Sequence, residues 1–156
     1  MEILYSGNTQ KSPEVEKELN ATFVSFEELL QQSDFITINC AYTPESKYMF
    51  SSEQFKMMKP TSYLVNAARG PIVDEKALVD ALKAKEIEGA ALDVFEFEPK
   101  ITEELKSMDN VVLTPHIGNA TIETRDAMAE MAVQNIINVL NEKEPINPVN
   151  KVAVTV

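Results

Sequence analysis

Three side chains of unlike chemistry follow three apolar runs in this sequence: Arg69 after Tyr63-Leu64-Val65, Glu98 after Leu92-Asp93-Val94, and His116 after Val111-Val112-Leu113. A guanidinium offers a planar, two-pronged grip on a carboxylate. An imidazole moves a proton near neutral pH, and a carboxylate beside it can fix its tautomer and favour its charged form. Together these groups suit work on a small carboxylic acid: Arg69 holds the acid and polarises its neighbouring carbonyl, while His116, steadied by Glu98, gives or takes a proton. Each also has a plainer reading. Arg69 and Glu98 could form a salt bridge or stand in solvent, and a lone histidine is often a surface or satisfied core residue.

What could unite them is their place in the fold. In an open α/β sheet, ligands sit outside the carboxyl ends of the strands, so the first loop residues after each strand do the chemistry. Apolar runs predict strands at 2–6, 22–24, 35–39, 63–66, 89–94 and 111–113, the fifth rich in small residues for close packing. Helices fill the intervals. Ser12 and Pro13 open one that Asn20 can close. Ser25 with Glu28, and Ser51 with Gln54, have capping-box spacing, and Asp74 can cap a helix running to about Lys85. A turn or two is expected from Thr102 to Met108. From 121 to 141, Met128, Met131, Ala132, Ile136, Val139 and Leu140 recur at spacings of three and four, which predicts a long helix with one apolar stripe. The two methionines are expected in the core. This alternation predicts a doubly wound, mostly parallel α/β sheet with helices on both faces.

Composition narrows the partners. The 156 residues are 44% hydrophobic, enough for one domain with a core. A formal charge of −11, with the acids scattered, argues against nucleic acid and anionic membrane. One cysteine, Cys40, cannot form an internal disulfide, no leader is expected because no basic stretch followed by an apolar one opens the sequence, and no apolar run is long enough to span a bilayer. A cytoplasmic location is expected. His116 and Cys40 offer no ligand pair, so no metal is expected.

The runs Val65-Asn66-Ala67-Ala68-Arg69-Gly70-Pro71-Ile72-Val73-Asp74, Ala91-Leu92-Asp93-Val94-Phe95-Glu96-Phe97-Glu98-Pro99 and Thr114-Pro115-His116-Ile117-Gly118-Asn119-Ala120-Thr121 resemble the signatures of the D-isomer-specific 2-hydroxyacid dehydrogenases. Order and spacing agree from about Ile3 to Asn150. The resemblance implies a three-layer, Rossmann-like NAD(P)-binding domain over 1–144, followed by a tail or added edge strand at 145–156. It implies that Arg69, Glu98 and His116 carry the reaction, with hydride passing between nicotinamide and the substrate's C2. It implies cofactor contacts at Ser6, Asn8, Thr9, Cys40, Ala67, Ala68, Arg69, Asp93, His116 and Gly118, with Asp93 holding the nicotinamide carboxamide. Members of the family are commonly dimers.

Within the family, the run Tyr5-Ser6-Gly7-Asn8-Thr9 is similar to that of the glyoxylate and hydroxypyruvate reductases. It lacks the acid that binds the adenosine ribose in NAD users, and Lys11 comes soon after, so NADP(H) is expected in preference to NAD(H). The dinucleotide fingerprint is not here, because the only glycines are 7, 70, 89 and 118. The likeness begins at the second strand of the family's cofactor domain, so an incomplete sheet is expected, lacking its first strand and phosphate-binding helix. The expectation is a truncated or split polypeptide, inactive alone and either homodimeric or complemented by the missing part. The alternative function is a catalytically inactive module that only assembles.

Overall fold

The capping and alternation signals convert into structure almost residue by residue. In the computed structural model, which describes residues 1–150, the chain divides after His116 into two compact units. The first carries β1 (Ile3–Tyr5), α1 (Pro13–Leu19), β2 (Ala21–Phe23), α2 (Phe26–Gln32), β3 (Phe35–Ile38), α3 (Ser52–Met57), β4 (Tyr63–Asn66), α4 (Glu75–Ala84), β5 (Gly89–Leu92) and β6 (Val111–Leu113), with 3-10 turns at Gly70–Ile72 and Glu103–Ser107. The second carries α5 (Ile122–Leu140).

Helix ends follow their caps. The Ser25 hydroxyl accepts from the Glu28 N–H while the Glu28 carboxylate accepts from the Ser25 N–H, so α2 starts where expected. Asp74 accepts from the Ala77 N–H at 3.0 Å and starts α4. Asn20 closes α1 in the left-handed conformation, φ 49°. Ser12 departs from expectation in one respect, since its side chain makes no cap bond and α1 relies on Pro13 for its start.

The Rossmann-like, parallel α/β class holds, with the strands shared between two sheets. β1 pairs with β2, Ile3 opposite Ala21, and the Val24 N–H prolongs that ladder onto the Tyr5 carbonyl. β3, β4, β5 and β6 form the other sheet in sequence order, with Phe35 opposite Tyr63, Tyr63 opposite Gly89 and Ala90 opposite Val111. Among the described residues β1 pairs only with β2 and β3 only with β4, which leaves each with one unpaired edge. β3 and β5 stop at Ile38 and Leu92, short of the expected 39 and 94, although the ladder continues through the Asp93 N–H onto the Asn66 carbonyl.

The core lies between this larger sheet and its helices. Leu30, Ile36, Phe50, Phe55, Leu64, Leu78, Leu92 and Leu105 are buried in one cluster, each worth about 1.5 to 3 kcal/mol in transfer free energy. Close packing explains the small residues of β5: a Cβ on Gly89 would lie 2.6 Å from the Asn110 carbonyl oxygen and 2.9 Å from the Tyr63 ring.

The second unit corrects one expectation. α5 spans the residues foreseen, starting where the Thr121 hydroxyl accepts from the Thr124 N–H, but it buries none of them. Met128 and Met131 are 56% and 45% exposed rather than core, because a single helix and its short tail cannot enclose an apolar stripe. Residues 145–150 form no strand, and the valine-rich remainder of the expected tail lies outside the described residues.

Candidate active site

β4 ends on Asn66, and that side chain shapes the loop beyond it. It is buried; its amide nitrogen donates to the Arg69 carbonyl at 3.0 Å, and its oxygen accepts from the Ala68 N–H at 3.1 Å. Such local bonding favours a tight turn over further strand. The turn lifts Arg69 to the surface, where Nη1 donates to the Ala68 carbonyl. Gly70 comes next because nothing larger fits: an added Cβ would stand 1.9 Å from the Phe95 carbonyl oxygen. The loop after β4 therefore presses directly on the loop after β5.

That second loop presents Glu98. Its Oε1 accepts from the Phe95 N–H at 3.0 Å, and its Oε2 stands 3.1 Å from Nδ1 of His116. His116 arrives from β6, whose end is tied to β5 by the Thr114 N–H on the Leu92 carbonyl and by the Thr114 hydroxyl on Asp93 Oδ1, 2.5 Å. The histidine backbone is left-handed, φ 53°, a conformation that costs a non-glycine residue free energy and concentrates at functional sites.

The electrostatics arise from these contacts. The Phe95 N–H holds the Glu98 carboxyl below its usual range; partial burial works against this, while the His116 hydrogen bond and the charges of His116 and Arg69 reinforce it. An ionised carboxylate only accepts, so Nδ1 of His116 donates to it and Nε2 is the ring nitrogen not engaged by Glu98. Arg69, Glu98 and His116 line one open cleft of about 590 Å³ with Gly70, Pro71 and Phe95. Cys40, Ala67 and Ala68 line a second recess of about 560 Å³ with Asn39, Ala41 and Tyr42, and Arg69 borders both.

Other expected contacts lie elsewhere. Ser6, Asn8 and Thr9 occupy the exposed loop after β1, Asp93 is bound at the end of β5, and none of them lines either recess. Gly118 belongs to the second unit. Sequence reasoning missed Asn66, Glu75 and Glu96. Asn66 had a readable signal, an amide at a strand end before small residues. Among the described residues no cluster of three or more His, Cys, Asp and Glu side chains could hold a metal, and no helix is long and apolar enough to cross a membrane.

Comparison with known proteins decides the family. The profile described as D-isomer specific 2-hydroxyacid dehydrogenase, NAD binding domain, matches residues 1–118. The chain belongs to this family. A Staphylococcus saprophyticus protein bearing a provisional 2-hydroxyacid dehydrogenase name is 59% identical over 145 residues, covering 93% of this chain and 45% of its own length. The holo structure of Rhodotorula graminis D-mandelate dehydrogenase superposes with a TM-score of 0.90 at 37% identity, covering 98% of this chain and 45% of that one. A glyoxylate reductase from Paecilomyes thermophila gives 0.86 at 35% identity, covering 96% and 45%. The chain thus spans about half the length of the 2-hydroxyacid dehydrogenases it matches.

Proposed function

We propose that this chain is the portion of an NAD(P)H-dependent D-2-hydroxyacid dehydrogenase that carries its acid-base and carboxylate-binding groups. The substrate is a small 2-oxo acid of the glyoxylate or hydroxypyruvate type. One observation carries the reading: Glu98 holds His116 by Nδ1 on the lip of the cleft that Arg69 also lines. Nε2 of His116 delivers the proton to the carbonyl oxygen of the 2-oxo acid, or removes it from the hydroxyl in reverse. Glu98 keeps the ring oriented and balances its positive charge. Arg69 grips the carboxylate and draws electron density from the neighbouring carbonyl.

The second recess suits the nicotinamide end of a cofactor, since Ala41, Ala67 and Ala68 leave room for a flat ring beside Arg69. When bound, the nicotinamide supplies the hydride. The chain's residues do not fit the pyrophosphate, because no pair of glycines stands two apart to make a phosphate-binding turn. NADP(H) is favoured over NAD(H), because the exposed loop after β1 carries no acid between Ser6 and Thr9 and Lys11 comes soon after. A homodimer, or complementation by the length that the relatives have in addition, is part of the same reading.

The test is a chimera in which this chain replaces the matching 145 residues of the staphylococcal relative. Reduction of glyoxylate or hydroxypyruvate by the chimera with NADPH, against little or none by the chain alone, supports the reading. A folded but inert chimera would favour an assembly module, for which the unpaired edges of β1 and β3 speak.

A further inference from the structure

We propose that Glu75 is a positioning residue whose carboxylate clamps both ends of the loop bearing Glu98, and so holds that acid against His116. The catalytic meaning of the clamp rests on the function proposed above; its structural content does not. A carboxylate is costly to bury unless hydrogen bonds replace its water, yet Glu75 is only 2% exposed. Its Oε1 accepts from the Glu96 N–H at 2.7 Å, and its Oε2 accepts from the Thr102 N–H and the Thr102 hydroxyl. In return the Glu75 N–H donates to Glu96 Oε2 at 3.3 Å, and the Tyr48 hydroxyl donates to Glu96 Oε1. The bonded residues, 96 and 102, bracket Glu98.

Capping α4 does not explain this. Asp74 already accepts from the Ala77 N–H there, and among the described residues the Glu75 carboxylate bonds to groups 21 and 27 residues away. Without it the Glu96 N–H and both Thr102 donors would lose this acceptor, and the loop would keep side-chain ties, from Tyr48 and the Glu75 N–H to the Glu96 carboxylate and from the Phe95 N–H and His116 to the Glu98 carboxylate.

His116 is the sole histidine, so its ring nitrogens give unambiguous signals in nitrogen-15 spectra of the full 156-residue chain. Glu98→Gln defines the displacement of those signals when the carboxylate is removed. Glu75→Ala is expected to displace them in the same direction and by a comparable amount. Glu75→Gln should give a clearly smaller displacement than Glu75→Ala, because its amide oxygen keeps the Glu96 N–H and the Thr102 hydroxyl can turn to accept from the NH2, although the Thr102 N–H loses its acceptor. Thr102→Val should give a smaller displacement of the same sign, and it decides the matter if Glu75→Ala does not fold. Signals unmoved in a folded Glu75→Ala, or unmoved in Thr102→Val when Glu75→Ala is unfolded, would overturn the proposal. So would a Glu75→Gln chain that shifts as much as Glu75→Ala. If the clamp holds but the chimera turns over without His116, only the functional reading fails.

Discussion

Nδ1 of His116 meets Oε2 of Glu98 at 3.1 Å across a gap of 18 residues, from a backbone held at φ 53°. The pairing directs the Nδ1 proton at the Glu98 carboxylate. Replacing Glu98 by Gln keeps the shape and removes the charge. In the chimera we expect Glu98→Gln to lower kcat for glyoxylate by about 10²-fold with little change in KM, the pattern of a group that acts in the transition state. Steady-state kinetics decide it, and an unchanged kcat would remove Glu98 from the mechanism.

Gly70 should be irreplaceable for a steric reason. A methyl group there collides with backbone rather than a yielding side chain, so the loop bearing Glu98 must move. Gly70→Ala is expected to destabilise the chain by about 3 kcal/mol and to displace the His116 ring signals. A free energy of unfolding, from denaturant titration, within about 0.5 kcal/mol of wild type would refute the close approach.

The pH dependence has an opposite sign at each end. The fold depresses the Glu98 carboxyl, so its contribution is complete above its ordinary range and is lost as pH falls through the depressed value. The Tyr48 phenol is pushed up to about 12, chiefly by its hydrogen bond to Glu96, so the folded chain holds that proton longer than the unfolded one. Its contribution is present below the usual 10 and disappears as pH rises from there toward 12. Melting temperatures across pH should fall at both ends. Tyr48→Phe should flatten the alkaline fall; an unaltered alkaline limb would show that the Tyr48–Glu96 bond contributes nothing.

Cofactor choice is open to a one-residue test. The loop after β1 offers no carboxylate to a ribose, so the chimera should prefer NADPH to NADH. Introducing an acid by Ser6→Asp should move the ratio of kcat/KM values toward NADH by about tenfold, the worth of one charged contact of about 1.4 kcal/mol. A ratio indifferent to that change would place the determinant elsewhere.

Much of this was legible in the residues alone, and the reasons are local. Asp74, Ser25 with Glu28, and Asn20 each satisfy helix-end groups within a few residues, so α4, α2 and α1 could be bounded without the fold. Arg69, Glu98 and His116 could be grouped from the sequence because each follows a strand of one parallel sheet, and all three line one cleft. Glu75 escaped notice because its partners lie 21 and 27 residues on, and an acid in a first helical turn has an ordinary explanation. Met128 and Met131 misled for the opposite reason. Their spacing reports an apolar stripe faithfully, but not what covers it.

The most direct test is His116→Ala in the chimera, assayed with glyoxylate and NADPH. If Nε2 of His116 moves the proton, kcat should fall by about 10² to 10⁴-fold while the cofactor still binds. Turnover within a few-fold of the unsubstituted chimera would contradict that role and, with it, the acid-base reading of the Glu98–His116 pair.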